Sequence, residues 1–135
     1  MEIERSIDIE NAIRIALKDY INIYCRPLPD TYKLPNILVS QVGGSNANKI
    51  DTFEIVLDSR ARNNADALDY LMDAIGILKG VAGGENTPIL HVSTSSAMSW
   101  GNDPVRPDLK MCSARMSIVA HMATKTIKRN GGKQK

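Results

Sequence analysis

Cysteine is almost missing from this chain, and its scarcity closes off two routes to stability and chemistry at once. Cys25 and Cys112 are the only two in 135 residues. They are too few for a disulfide framework and lack the paired spacing of a zinc site. A reduced, cytosolic setting is the simplest expectation. Aromatic residues are also sparse, with one Trp, one Phe and four Tyr, which disfavours a sheet that stacks bases on several rings. No run approaches the ~20 apolar residues that span a bilayer. The opening Met-Glu-Ile-Glu-Arg alternates charge with isoleucine, so it lacks the basic region and apolar stretch of a signal peptide. No membrane partner is expected. A large net charge is missing too, since 17 basic side chains nearly cancel 15 acidic ones, and a general polyanion binder is not indicated.

The distribution of charge says more than its sum. Lys125, Lys128, Arg129, Lys133 and Lys135 supply five of the 17 positive charges, leaving 12 basic against 15 acidic groups in the residues before them. The expectation is a mildly acidic folded domain over 1–124 and a basic, flexible C-terminal tail over 125–135. With 43% hydrophobic residues the chain can fill one core, whereas two domains of half this length would each be marginal.

Periodicity predicts the elements. Ile9, Ala12, Ile13, Ala16, Leu17, Tyr20, Ile21 and Tyr24 recur at three- and four-residue intervals, one buried face of a helix over 8–25, capped by Ser6 or Asp8 and stopped before Pro27 and Pro29. Residues 36–42 are short and β-branched and end on Gly43-Gly44-Ser45-Asn46, a strand entering a hairpin. Residues 50–58 return with Phe53, Ile55 and Leu57 on one face and Thr52, Glu54, Val56 and Asp58 on the other. Ser59 is a candidate cap for a second helix over 61–79, closed by Lys79 and Gly80. A third strand over 87–95, a polar stretch over 97–110 and a last strand over 111–123 follow. The last strand alternates Met116, Ile118, Ala120 and Met122 against Arg115, Ser117, Val119 and His121. The fold class is therefore α+β, a single domain with a mostly antiparallel four-stranded sheet and two helices packed on one face, in the order α-β-β-α-β-β.

No catalytic, cofactor-binding or metal residue is assigned. The Gly43-Gly44-Ser45 run lacks the lysine of a phosphate loop and sits in a hairpin, where a turn is the commoner reading. His91 and His121 fall in strands without a carboxylate or cysteine at ligand spacing. Each can meet a cysteine in space or simply be a satisfied strand residue, and the second is the more usual role. Asp51, Glu54 and Asp58 faintly suggest an acidic metal cluster, but Asp51 points to the face opposite the other two. No basic residue is placed to lower the pKa of Cys112. The expectation is a protein that is not an enzyme and needs no cofactor.

Length and polarity are instead spent on loops. The 97–110 segment carries the only Trp, and structureless loops of that size are usually functional or disordered. Trp100 either covers the end of the core or is an exposed aromatic anchor of the kind found in interfaces. The hairpin tip over 43–49 is either a solvated turn or a contact surface.

The order of these features resembles one family. Leu34-Pro35-Asn36-Ile37-Leu38-Val39-Ser40-Gln41-Val42-Gly43-Gly44-Ser45 leads through a polar tip into Ile50-Asp51-Thr52-Phe53-Glu54-Ile55-Val56-Leu57-Asp58-Ser59-Arg60. An alanine-rich second helix follows, then an Asp-Pro loop over 100–108 and an Arg-containing strand over 115–123. Across roughly 8–124 this is similar to the tail terminator proteins of siphophages, through loose patterns rather than invariant signatures. The resemblance implies a homo-oligomeric ring, typically a hexamer, at the head–tail junction of a virion assembled in the host cytoplasm. Such a ring binds the major tail tube protein, stops its polymerisation and meets a head–tail connector or head-completion protein. A heterologous ring uses two different surfaces per subunit. That makes Gly43, Gly44, Ser45, Asn46, Asn48 and Lys49 in the hairpin, with Trp100, Asn102, Asp103, Arg106 and Asp108 in the loop, the interface candidates.

The basic tail lies outside the resemblance. Lys125, Lys128, Arg129, Lys133 and Lys135 either touch DNA passing through the channel or only solubilise the end of the chain, the latter favoured because no apolar or aromatic element accompanies them. Two other functions remain open, another head-to-tail joining or head-completion protein and a small nucleic-acid-binding α+β module.

Overall fold

The structure is a computed structural model that describes residues 1–47, 49–94 and 99–130. Ten elements follow in order: β1 (Glu2–Arg5), α1 (Ile9–Leu17), β2 (Ile23–Cys25), β3 (Asn36–Ala47), β4 (Ile50–Ala61), α2 (Asn64–Val81), β5 (Ile89–Thr94), β6 (Ser99–Asn102), β7 (Lys110–His121) and β8 (Ala123–Thr126). The α+β class stands, and the sheet is larger and mixed. Its order is β2-β3-β4-β7-β5, with β6 also paired to β7, and β2 runs parallel to β3 while the other pairs are antiparallel.

Both helices lie on one face. The Asp8 side chain accepts the amide of Asn11 at 3.1 Å to cap α1, whose Ile9, Ile13 and Leu17 are fully buried. In α2, capped by Asn63, the residues Ala67, Leu71, Ala74, Ile75 and Leu78 form the stripe. These meet Phe53, Ile55 and Leu57 of β4 and Met116, Ile118 and Ala120 of β7, whose alternation matches the expected faces. Each such Leu or Ile contributes about 1.5–3 kcal/mol by leaving water. Leu57→Ala in the middle of this layer would cost about 2–5 kcal/mol.

The first helix ends eight residues earlier than its periodicity predicts. Tyr20 is 69% exposed, and Ile23–Cys25 turn into a strand beside β3, registered Ile23 to Ile37 and Cys25 to Val39. Ile21 and Tyr24 fit the helical stripe while Ile21 and Ile23 fit the alternation of a strand, and pairing with β3 decides for the strand. The second helix begins later than predicted because β4 continues to Ala61. Ser59 is fully buried opposite Cys112 in the sheet and caps nothing. Gly80 is inside α2, and the left-handed residue that follows the helix is Gly83, at φ +80°.

The chain ends also differ from expectation. Thr124, Lys125 and Thr126 are paired rather than loose: β8 runs antiparallel to β1 as a separate two-stranded ribbon, Lys125 opposite Ile3, extended by the Ile127 amide donating to the Met1 carbonyl at 2.7 Å. The expected third strand begins at Ile89 and runs to Thr94; its last predicted residue, Ser95, is outside the described residues.

Candidate functional site

The face of the sheet away from the helices carries Thr52, Glu54, Val56 and Asp58 of β4 beside Ser113, Arg115, Ser117 and Val119 of β7. Glu54 accepts the Ser117 hydroxyl and lies 3.7 Å from the Arg115 guanidinium, and Asp58 accepts the Ser113 hydroxyl. These carboxylates are thus spent on cross-strand contacts, which stabilise a sheet one pair at a time. Asp51 points to the other face, as its parity with Phe53 predicts. Among the described residues no three His, Cys, Asp or Glu side chains converge on a metal position.

The hairpin is not the loop that its composition predicts. Gly43, Gly44, Ser45 and Asn46 belong to β3, which pairs with β4 as far as Ala47 opposite Ile50. Asn48 lies outside the described residues. Alternating pairing outlasts the turn-forming residues here because a bulge between Gln41 and Gly43 absorbs one residue and leaves Val42 48% exposed. Gly44 is demanded by close approach, since a Cβ there would stand 2.9 Å from the Thr52 carbonyl oxygen. Lys49 takes φ +67° and its ammonium meets Glu4 of β1 at 3.3 Å. Pairing of β3 with β2 stops at Val39. From Val42 to Ala47 the outer half of β3 therefore presents an edge lined with small polar residues.

The opposite edge of the sheet carries β6. Trp100 sits opposite Cys112 and is 51% exposed, and Asn102 sits opposite Lys110, whose ammonium reaches its side-chain oxygen at 3.4 Å. Part of the predicted polar loop is thus an edge strand; Ala97 and Met98 in that loop lie outside the described residues. Asp103 is not available to a partner. It is 4% exposed, pairs with the buried Arg60 at 2.8 Å, and accepts the amides of Val105 and Arg106. Burial pushes its carboxyl up, but the Val105 amide, the Arg60 guanidinium and the Arg106 amide together hold it below its ordinary value. Arg106 and Asp108 remain at the surface as an exposed pair 3.1 Å apart.

Lys125 projects from β8, and Lys128 and Arg129 follow it, exposed; Lys133 and Lys135 lie outside the described residues. His91 and His121 are both exposed. The Cys112 thiol is pushed up by burial, and the Cys25 thiol is pushed up by burial and by Glu10, so neither is favoured as a thiolate.

Three features escaped the sequence reading. Glu10 of α1 accepts Arg26 and the Gln41 amide, tying the helix to the end of β2 and the middle of β3; burial pushes its carboxyl up, and Arg26 with the Gln41 amide brings it net below its ordinary value. An open apolar groove of about 630 Å³ lies between the start of α1 and the end of α2, lined by Ile7, Ala12, Ile15 and Val81. A polar cleft of about 430 Å³ lies under the hairpin, between Ser6, Gly44 and Asp51. Only the cleft had a signal in the sequence, a carboxylate on the apolar parity of β4. No protein-family model matches the chain, and no curated protein matches it significantly.

Proposed function

We propose that the protein is a structural virion component, a tail terminator that forms a ring of the hexameric kind its resemblance implies. That ring caps the major tail tube, stops its growth and joins the tail to a head–tail connector or head-completion protein. The observation that carries this reading is the placement of its two candidate surfaces on opposite edges of one sheet. The outer half of β3 lies on the side of β4 away from β7, and β6 lies on the side of β7 away from β4. A ring closes head to tail only if each subunit offers two different, separated surfaces. An edge of small polar residues and an edge bearing an exposed Trp fit that need, with strand addition supplying directional hydrogen bonds and the Trp an apolar anchor.

The test is light scattering or native mass measurement of the purified chain, alone and with tail-tube protein. A discrete ring that caps tubes supports the reading. A ring that binds only portal-side proteins favours a head-completion role instead. A monomer that binds oligonucleotides with steep salt dependence sinks the reading in favour of a nucleic-acid module, for which the basic tail, with Lys125, Lys128 and Arg129 exposed among the described residues, is the support.

A further inference from the structure

Asp51 is the one acidic side chain facing the helix side of β4, and it is 3% exposed. Its Oδ1 accepts the Asn46 side-chain amide at 2.8 Å, while its Oδ2 is buried with no partner among the described residues. Asn46 has nothing more to give. The same amide nitrogen also contacts the Ile50 carbonyl at 3.4 Å and the Met122 sulfur at 3.3 Å. A carboxylate has sites for about four hydrogen bonds, and a buried one with a single neutral donor is poorly compensated. Asp51 also lines the polar cleft, beside Ser6, Gln41, Gly44 and Asn46. A buried acceptor beneath an open polar cleft is complementary to a long side chain with a positive tip.

We infer that this cleft receives a lysine or arginine side chain from a second copy of the chain, supplied by its C-terminal segment around Lys128 and Arg129. The inference rests on the ring reading for its partner. A metal ion is the poorer fit, because among the described residues no three His, Cys, Asp or Glu side chains gather at Asp51. Lys128 and Arg129 are exposed and make no ion pair among the described residues. Chain direction places them away from their own cleft. Ala123 lies opposite Arg5, next to Ser6 at the cleft, and β8 then runs outward until Ile127 meets Met1. Four strand steps of ~3.3 Å carry the tail roughly 13 Å away before Lys128. It thereby leads away from the subunit's own cleft.

The probe is a synthetic peptide of residues 127–135, titrated into the isotopically labelled full chain while the amides of Gly43, Gly44, Ser45 and Asn46 are followed by NMR. Saturable shifts at these amides are expected, weakened at least ~tenfold in Asp51→Asn, since truncating one partner of a buried charged pair has effects of that order or more. A peptide with Lys128 and Arg129 both changed to Gln should also fail to bind. Asp51→Asn is nearly isosteric and removes an uncompensated buried charge, so its unfolding midpoint should equal or exceed that of the wild type. A clear fall in that midpoint would assign Asp51 to holding the subunit together and overturn the inference. Absent shifts, or shifts unchanged in Asp51→Asn, overturn it as well. So does an equal response to butylamine, which marks a general cation site, or loss of stability on Arg5→Ala, which marks Arg5 as the internal partner. The two readings fail separately. Peptide binding to a chain that never assembles keeps the cleft and loses the ring, whereas rings formed normally by Asp51→Asn keep the ring and lose the cleft.

Discussion

Arg60 and Asp103, forty-three positions apart, meet as a buried ion pair with Nε and Oδ2 2.8 Å apart and side chains 9% and 4% exposed. The pair pins the loop after β6 onto the end of β4. Breaking it from one side strands a buried guanidinium, whose Nη1 already lacks a partner. Asp103→Ala is therefore expected to destabilise the subunit by about 3–5 kcal/mol. The double change Arg60→Met with Asp103→Asn removes both charges and should cost less than Asp103→Ala alone. Denaturant unfolding of the three proteins measures both expectations.

The same pair sets an acid limit. Asp103 and Glu10 both have carboxyls held below their ordinary values in the folded chain. The stability they add is fully present above the unfolded carboxylate range of roughly 4 and is lost as pH falls through their lower folded values. The unfolding midpoint should stay level from neutral pH to about 5 and drop below about 4. Asp103→Asn should lose less than the wild type on acidification, because its share has already gone.

Long alternating or helical runs were legible in the sequence, and contacts between distant short segments were not. Leu57 and Met116 announce their faces through ten residues of alternation, and Ile9, Ile13 and Leu17 announce a helix. Ile23 gave no such warning. Its neighbours fit a helix stripe, and only the presence of β3 alongside makes the strand the better solution. The ribbon of β1 and β8 joins Ile3 to Lys125, with one apolar side chain in the whole of β1 and no local signal for a partner 122 positions away. Composition also misled at Asp103 and Gly44. Polar residues in a turn-rich run suggest a surface, but an aspartate that meets an arginine can be buried, and glycines can continue a strand where a neighbouring carbonyl comes close.

Lys49 is the only non-glycine residue among those described with a left-handed backbone. Turns of two residues in antiparallel hairpins favour glycine at such a position. Lys49→Gly relieves roughly 1–2 kcal/mol of strain and gives back part of it, about 0.5–1 kcal/mol, as added freedom in the unfolded chain. Its pairing with Glu4 is exposed on both sides, so its loss matters little. A net gain of about 0.5–1 kcal/mol is expected by thermal unfolding. A net loss would show instead that the Glu4 contact is what fastens the hairpin to β1.

Trp100 separates fold from assembly. Its ring is 51% exposed on a four-residue edge strand held to β7 opposite Cys112. Removing a half-exposed side chain from such an edge should change subunit stability by about 1 kcal/mol or less. An aromatic anchor in an interface is worth more, commonly about 2 kcal/mol or above, which corresponds to roughly a 30-fold weaker association. Trp100→Ala is thus expected to leave the unfolding curve nearly in place while shifting the ring, or its binding to tail tubes, to far higher protein concentration in sedimentation experiments. Unfolding of the subunit by this one change would place the ring in the core. Unchanged assembly would remove β6 from the interface and leave the β3 edge without the partner surface that a closed ring requires.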